Sequence, residues 1–206
     1  MYRILIADDE GLMLEAFKGV ILAEFGDKCS VETAKTGRAV IEKAETFHPD
    51  IVFMDICMPE MDGLAMIAAI HSQFPDLEVC VLTGYRDFEY AKEAIRLGVT
   101  RFLLKPSNMD ELEEAIGKMC GNLKRKGITG DEPKRDQQDG EAAEAHKESA
   151  SSSFIVKNAL TYIEENYTKK LTLCEVAEKT YVSQWHLSKL LNRHTGQSFS
   201  DILNHV

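Results

Sequence analysis

Tyr2-Arg3-Ile4-Leu5-Ile6-Ala7-Asp8-Asp9-Glu10 opens the chain with a short apolar run that ends in adjacent carboxylates. The same kind of run returns at Cys29–Ala34, Ile51–Met54, Glu78–Leu82 and Arg101–Leu104. Runs this short and this apolar suit strands covered on both faces. The stretches between them read as helices. In the last one, Leu112, Ala115, Ile116 and Met119 fall at i, i+3, i+4 and i+7. Asn108 and Glu111 fit its N-cap and third position, a variant of the capping box. Strand and helix thus alternate five times over residues 2–120. That predicts an α/β fold, a doubly wound five-stranded parallel sheet with helices on both faces. Ligands of such sheets gather at the carboxyl ends of the strands.

Polar residues sit at those ends. Asp8 and Asp9 follow the first strand, Asp55 the third, Thr83 the fourth, and Lys105 the fifth. Taken singly, each has an ordinary reading. Asp8 or Asp9 is a helix cap, Asp55 a turn residue, Thr83-Gly84 a turn, and Lys105-Pro106 a solvated loop end. The five together, each at its own strand end, converge on one sheet edge. Three carboxylates brought together repel unless a cation intervenes. Oxygen donors of this kind suit a hard divalent ion such as Mg2+, which keeps several waters and few protein ligands. Lys105 adds a positive point charge. A carboxylate is a competent nucleophile toward phosphorus and gives an aspartyl phosphate. Metal and lysine then offset charge on the transferred phosphoryl oxygens, and Thr83 offers a hydroxyl donor.

Composition narrows the rest. The 206 residues carry a net charge of −10. Residues 1–123 account for −10, residues 124–153 for −1 and residues 154–206 for +1. The acidic first part is repelled by nucleic-acid phosphates; the last part is not. No apolar run approaches the length needed to cross a bilayer, and the start of the chain does not read as a signal peptide. Cys29, Cys57, Cys80, Cys120 and Cys174 form no C-x-x-C pair, so they are read as reduced thiols of a cytoplasmic protein. Lys124–Ser153 holds one large apolar residue, Ile128, and reads as a flexible linker; within it, Glu141–Ser149 has transient helical character.

The first part resembles the receiver domain of bacterial two-component response regulators. The resemblance rests on Ile6-Ala7-Asp8-Asp9-Glu10, Met54-Asp55-Ile56-Cys57-Met58-Pro59-Glu60-Met61-Asp62-Gly63, Leu82-Thr83-Gly84 and Phe102-Leu103-Leu104-Lys105-Pro106. It implies a CheY-like, flavodoxin-like sheet of order 2-1-3-4-5, and domain limits of 1–121 for the receiver, 122–153 for the linker and 154–206 for the output segment. It also implies that Asp55 accepts a phosphoryl group from a sensor histidine kinase. Asp9 binds Mg2+ directly, Asp8 mainly through water, and the backbone carbonyl of Cys57 is a further ligand. Lys105 pairs with the phosphoryl group across a cis peptide to Pro106. Thr83 moves toward the phosphoryl group and Phe102 turns inward behind it. The face of the fourth helix, fifth strand and fifth helix then changes and often dimerises. Cys57 and Tyr85 occupy positions that tune phosphoryl lifetime.

From Phe154 the apolar pattern returns. Ile155, Ala159, Tyr162, Ile163 and Tyr167 outline one helix. Thr172 and Glu175 frame a capping box for a second, Ser183 caps a third, and Ser198 with Asp201 opens a fourth. On a helical wheel, Leu187, Leu190, Leu191 and His194 form a core side, and Trp185, Ser188, Lys189 and Asn192 an exposed side. The exposed groups suit base edges and phosphates; an ordinary bundle with a polar face reads equally well. Ile163-Glu164-Glu165-Asn166-Tyr167, Leu173 with Val176-Ala177, Ser183–Leu191 and Thr195-Gly196 look like the first helix-turn-helix of an AraC-type DNA-binding module. The likeness implies that Gln184, Trp185, Ser188 and Lys189 approach DNA. AraC-type modules carry two such units joined by a long helix, and this chain stops as that helix opens. The expectation is half a module, with weak affinity for promoter DNA.

The combined reading is a phosphorylation-dependent response regulator that regulates transcription and is not an enzyme in the usual sense. One rival is a Mg2+ phosphatase with an aspartyl nucleophile, which usually has a second Asp two residues on, where this chain has Cys57. Another is a phosphorylation-controlled module whose C-terminal helices dock a protein.

Overall fold

In the computed structural model, which describes residues 1–59, 62–84, 88–105, 109–128, 150–167 and 171–205, the five apolar runs are parallel strands. These are β1 (Tyr2–Ala7), β2 (Cys29–Ala34), β3 (Ile51–Asp55), β4 (Glu78–Thr83) and β5 (Arg101–Leu104). They form one sheet of order β2-β1-β3-β4-β5. Between and after them run α1 (Gly11–Phe25), α2 (Gly37–Phe47), α3 (Gly63–Gln73), α4 (Phe88–Arg96) and α5 (Met109–Arg125). A short 3-10 turn, Gly26–Lys28, leads into β2.

The period of two along each strand sorts side chains between two cores. Ile4, Ile6, Ile51, Phe53, Cys80, Leu82 and Leu103 join the cluster that holds Leu14 and Ile21 of α1 and Leu112, Ala115, Ile116 and Met119 of α5. Leu5, Ala7, Val52, Met54, Val79 and Val81 join the other cluster, with Val40 of α2, Met66, Ile67 and Ile70 of α3, and Ala94 of α4.

Among the described residues, four further helices follow: α6 (Ala150–Asn166), α7 (Leu173–Lys179), α8 (Gln184–Thr195) and α9 (Phe199–His205). The caps of the last three are those the sequence predicts. Thr172 and Glu175 form a reciprocal capping box, Ser183 accepts from the His186 N–H, and Ser198 and Asp201 exchange hydrogen bonds at the start of α9.

Several expectations are corrected. α5 continues to Arg125, and Ile128 packs against its core after its N–H bonds Leu123 O. α6 begins at Ala150, where Ser151 is buried and donates to Leu97 O. Ordered structure therefore extends inward from both ends of the segment read as linker; its residues 129–149 lie outside the described ones. Tyr167 lies beyond the end of α6 and is exposed rather than part of its core stripe. His194 is only half-buried, because it sits near the end of α8. The roles assigned to Glu60, Met61, Tyr85, Pro106 and Asn108 fall on residues outside the described set.

The larger departure concerns α3. Gly63, Ala65, Met66, Ile67, Ala68, Ala69 and Ile70 are all buried. A helix that is apolar all round needs cover on two sides. The sheet supplies one, and α6 supplies the other through Ile155, Val156, Ala159 and Ile163, which belong to the same cluster. Each fully buried isoleucine contributes about 1.5–3 kcal/mol. The C-terminal helices are thus packed on the sheet assembly through a shared core. Among the described residues, no helix is long and apolar enough to cross a membrane.

His71, in the last turn of α3, is enclosed near Gly98, and its Nε2 is buried with no hydrogen-bond partner among the described residues. Burial, and then the nearby Lys126 charge, push its pKa down to about 4, against the opposing pull of Glu78. His186 is lowered too, by burial and by Lys189. An unfolded chain takes up these protons near pH 6.5, whereas the folded His71 resists to about 4. Stability contributed by neutral His71 is therefore complete above about pH 6.5 and is lost as pH falls toward 4, by about 3 kcal/mol at most. Urea unfolding across that range is expected to show this acid slope and His71→Gln to flatten most of it; an equal slope in the variant contradicts the assignment.

Candidate functional site

Strand parity brings three of the predicted residues to the same side. Asp8 continues Ile4 and Ile6, Asp55 continues Ile51 and Phe53, and Lys105 continues Leu103, so all three share the α1/α5 side of the sheet edge. Lys105 Nζ donates to Asp8 Oδ2 at 2.5 Å and to Asp55 Oδ2 at 2.6 Å. The other oxygen of each carboxylate accepts a backbone amide two residues on. Glu10 N–H donates to Asp8 Oδ1 at 2.9 Å, and Cys57 N–H to Asp55 Oδ1 at 2.8 Å. Asp8 and Asp55 are buried, and both are fixed at each oxygen. Burial alone would lower the Lys105 pKa, but the hydrogen bonds it donates to Asp55 and Asp8 outweigh it and hold the ammonium above the ordinary lysine range. Beneath it lies a cavity of about 170 Å³ lined by Met13, Phe17, Val20 and Leu82 together with Asp8 and Lys105.

Asp9, exposed, completes the group. One oxygen from each of Asp8, Asp9 and Asp55 lies within 4.8 Å of the others. Three carboxylates against one ammonium leave an excess of negative charge. With hard oxygen donors only, this set fits a divalent cation of the Mg2+ type.

Thr83 has the opposite parity and is fully buried. Its hydroxyl lies 3.6 Å from Cys57 Sγ. Phe102 pairs with Val81 and is half-buried against the α2–α4 core. Lys105 N–H donates to Thr83 O at 2.8 Å, so the two strand ends are locked in register. The loop after β3 is equally constrained. Asp62 caps α3 by accepting from Leu64 and Ala65 N–H. At Gly63, a Cβ would lie 2.7 Å from Ile56 Cβ and 2.8 Å from Ile56 Cα. Only glycine lets the start of α3 close onto the residue after Asp55.

The C-terminal candidates stand apart from this site. Gln184, Trp185 and Lys189 are exposed on α8, and Ser188 is half-buried. Lys189 Nζ lies 5.1 Å from the Trp185 ring centroid, a cation–π contact. Sequence reasoning missed Ser72, Tyr181 and His186, which connect α8 and its preceding turn to α3. The signal for α3 was present in the unbroken apolar run Leu64–Ile70; nothing local marks the others.

Residues 4–117 match the family model described as response regulator receiver domain. The uncharacterized transcriptional regulatory protein YesN of Bacillus subtilis (strain 168) is 38% identical over 128 residues, 62% of this chain and 35% of that protein. The chain thus spans about a third of that relative's length. Transcriptional regulatory protein HptR of Staphylococcus aureus (strain N315) is 27% identical over 212 residues, covering 99% of this chain and 79% of that protein. Among solved structures, the REC domain of AraT, a response regulator from Geobacillus stearothermophilus, superposes with a TM-score of 0.55 at 35% identity, covering 61% of this chain and 98% of that one. A CheY-like receiver domain protein from Methanospirillum hungatei JF-1 gives 0.56 at 28%, again covering 61% and 98%.

Two glycine substitutions are expected to act in opposite directions. Gly63→Ala forces the loop after Asp55 to shift and costs about 1–3 kcal/mol. Gly117→Ala, on the exposed side of α5 with open space around it, gains roughly 0.5–1 kcal/mol. Chemical denaturation of both variants checks the pair.

Proposed function

We propose a function for a chain that belongs to the response regulator receiver family: Asp55 accepts a phosphoryl group from a sensor histidine kinase, and the modified chain regulates transcription through its C-terminal helices. The observation that carries this reading is the Lys105 ammonium held between Asp8 and Asp55, with Asp9 within reach. A carboxylate oxygen of Asp55 attacks phosphorus, an O–P bond forms, and the bond from phosphorus to the donor nitrogen breaks. Lys105 then turns from the carboxylates to the phosphoryl oxygens. Asp8, Asp9 and Asp55, with the backbone carbonyl of Cys57, would hold Mg2+. When bound, it supplies positive charge against the transferred group.

Thr83 and Phe102 serve as the switch. The Thr83 hydroxyl leaves Cys57 for the phosphoryl group, and Phe102 moves from its half-buried position toward the space behind it. The face that responds carries Phe88 and Ile95 of α4, 78% and 65% exposed. Apolar side chains left in water on one helix favour a phosphorylation-promoted homodimer.

For the output, relatives named as transcriptional regulatory proteins support a DNA-binding role. Helices α7 and α8, joined by a short turn, are read as an AraC-type helix-turn-helix. Gln184, Trp185, Ser188 and Lys189 are its candidate contacts with promoter DNA, and the cytoplasm its place of action. The alternative, a protein-docking output, differs in its response to salt.

Intact-mass measurement with Mg2+ and acetyl phosphate is expected to show one phosphoryl adduct, lost without Mg2+ and in Asp55→Ala; no adduct under any condition overturns the reading. For the output, Lys189→Ala is expected to weaken binding to duplexes selected by the chain and to lower the salt slope by about one. Salt-indifferent binding, or an unchanged slope, favours protein docking instead.

A further inference from the structure

α1 carries two apolar stripes. Leu14 and Ile21 are buried against the sheet. Met13, Ala16, Phe17 and Val20 fall at i, i+3, i+4 and i+7 and form a second stripe beside the first. That second stripe is one wall of the cavity of about 170 Å³ beneath Lys105. Ile6 and Leu82, buried on the same side of the sheet, are its floor, and Lys105 with Asp8 closes its polar end. Met13 and Val20 remain 38% and 37% exposed, so the cavity opens to solvent on their side.

The walls are fixed. The Phe17 ring meets the Phe53 ring edge-on, with centroids 5.2 Å apart at 71°. Asp8 is held by Lys105 and by the Glu10 N–H, and Lys105 by Asp8 and Asp55. A preformed apolar cavity of roughly 150 Å³ admits benzene, so a single six-membered ring with one polar substituent fits this one. The polar end decides the substituent. Among the described residues, Lys105 gives two of its three ammonium hydrogens, to Asp8 and Asp55, and has a third to give. Asp8, Asp9 and Asp55 around that one ammonium leave an excess of negative charge, which repels an anion. A bare cation would meet Lys105 itself. A neutral hydroxyl suits both groups, because it accepts from Lys105 and donates to Asp8.

We propose that the cavity beneath Lys105 binds a small neutral aromatic alcohol, with its ring on Phe17, Ile6 and Leu82 and its hydroxyl between Lys105 and Asp8, and, resting on the phosphoacceptor reading of Asp55, that the bound molecule slows phosphorylation. The second part follows from the first. Phosphoryl transfer requires Lys105 to leave the carboxylates for the phosphoryl oxygens. A molecule that fills the space beneath Lys105 and takes its remaining hydrogen holds it where it is.

Phenol, toluene and benzoate titrated into the full chain without Mg2+ test the site, with the methyl resonances of Met13 and Val20 followed by NMR. Phenol is expected to shift both in a saturable way. Toluene, which lacks the hydroxyl, is expected to bind roughly ten-fold more weakly, and benzoate more weakly than phenol. Ala16→Leu and Val20→Phe, both at exposed positions of α1, put larger side chains against the cavity and are expected to abolish the phenol shifts with helix content unchanged. Adduct formation with Mg2+ and acetyl phosphate is then expected to slow several-fold in wild-type chain saturated with phenol, and not in the variants. No shift with phenol, or equal binding by both variants, overturns the site. Toluene or benzoate binding as tightly as phenol overturns the placement of the hydroxyl and with it the ligand class. A normal rate of adduct formation at saturation overturns the inhibition and leaves Asp55 as phosphoacceptor. Absence of the adduct without phenol overturns the proposed function and the inhibition, while the methyl shifts still decide the site.

Discussion

The constraint on which the site depends is the sharing of one ammonium by two buried carboxylates. Asp8 and Asp55 come from strands that are neighbours in the sheet, and Lys105 from the strand at its far edge. All three point to the same side because each continues the inward parity of its strand. Without Lys105, two buried carboxylates would face one another uncompensated, at a cost of several kcal/mol. With it, each carboxylate keeps a defined orientation through a backbone amide on its second oxygen. The site is therefore assembled before any ligand arrives, and the remaining negative charge is what makes a cation welcome.

The same sheet geometry separates the proposed phosphoacceptor cluster from the proposed switch residues. Asp8, Asp55 and Lys105 occupy the α1/α5 side, whereas Thr83 and Phe102 face the α2–α4 side. The side that Thr83 and Phe102 face is also the side that the C-terminal helices partly cover. α6 lies on α3, and α4 keeps Phe88 and Ile95 in water. One face of the sheet thus carries both an occupied contact and an open one.

Much of this was legible in the sequence, for physical reasons. Short apolar runs can be strands only if both their faces are buried, which fixed the sheet, and the residue after each run must then lie at the ligand edge. That is why Asp8, Asp55, Thr83 and Lys105 could be brought together without a structure. The caps at Thr172, Ser183 and Ser198 were legible because capping is local. The α3 interface was not. Tyr181 and Asp62 are 119 residues apart, and no spacing rule links them. The run Leu64–Ile70 did hold a signal, since a helix apolar on every side calls for two partners, but a strand–helix count has no place for the second. The ends of the segment read as linker misled for a related reason: Ser151 and Ile128 look like linker residues until a tertiary partner gives each a buried place.

The central claim is that the carboxylates around Lys105 form one divalent-cation site that prepares Asp55 for phosphoryl transfer. Calorimetric titration of Mg2+ into the full chain tests it most directly, with Asp9→Ala as comparison because Asp9 is the exposed member of the three carboxylates. The account predicts saturable binding of a single ion that is lost in Asp9→Ala while thermal stability in the absence of Mg2+ is unchanged. No binding by the wild-type chain, or equal binding by Asp9→Ala, would contradict it.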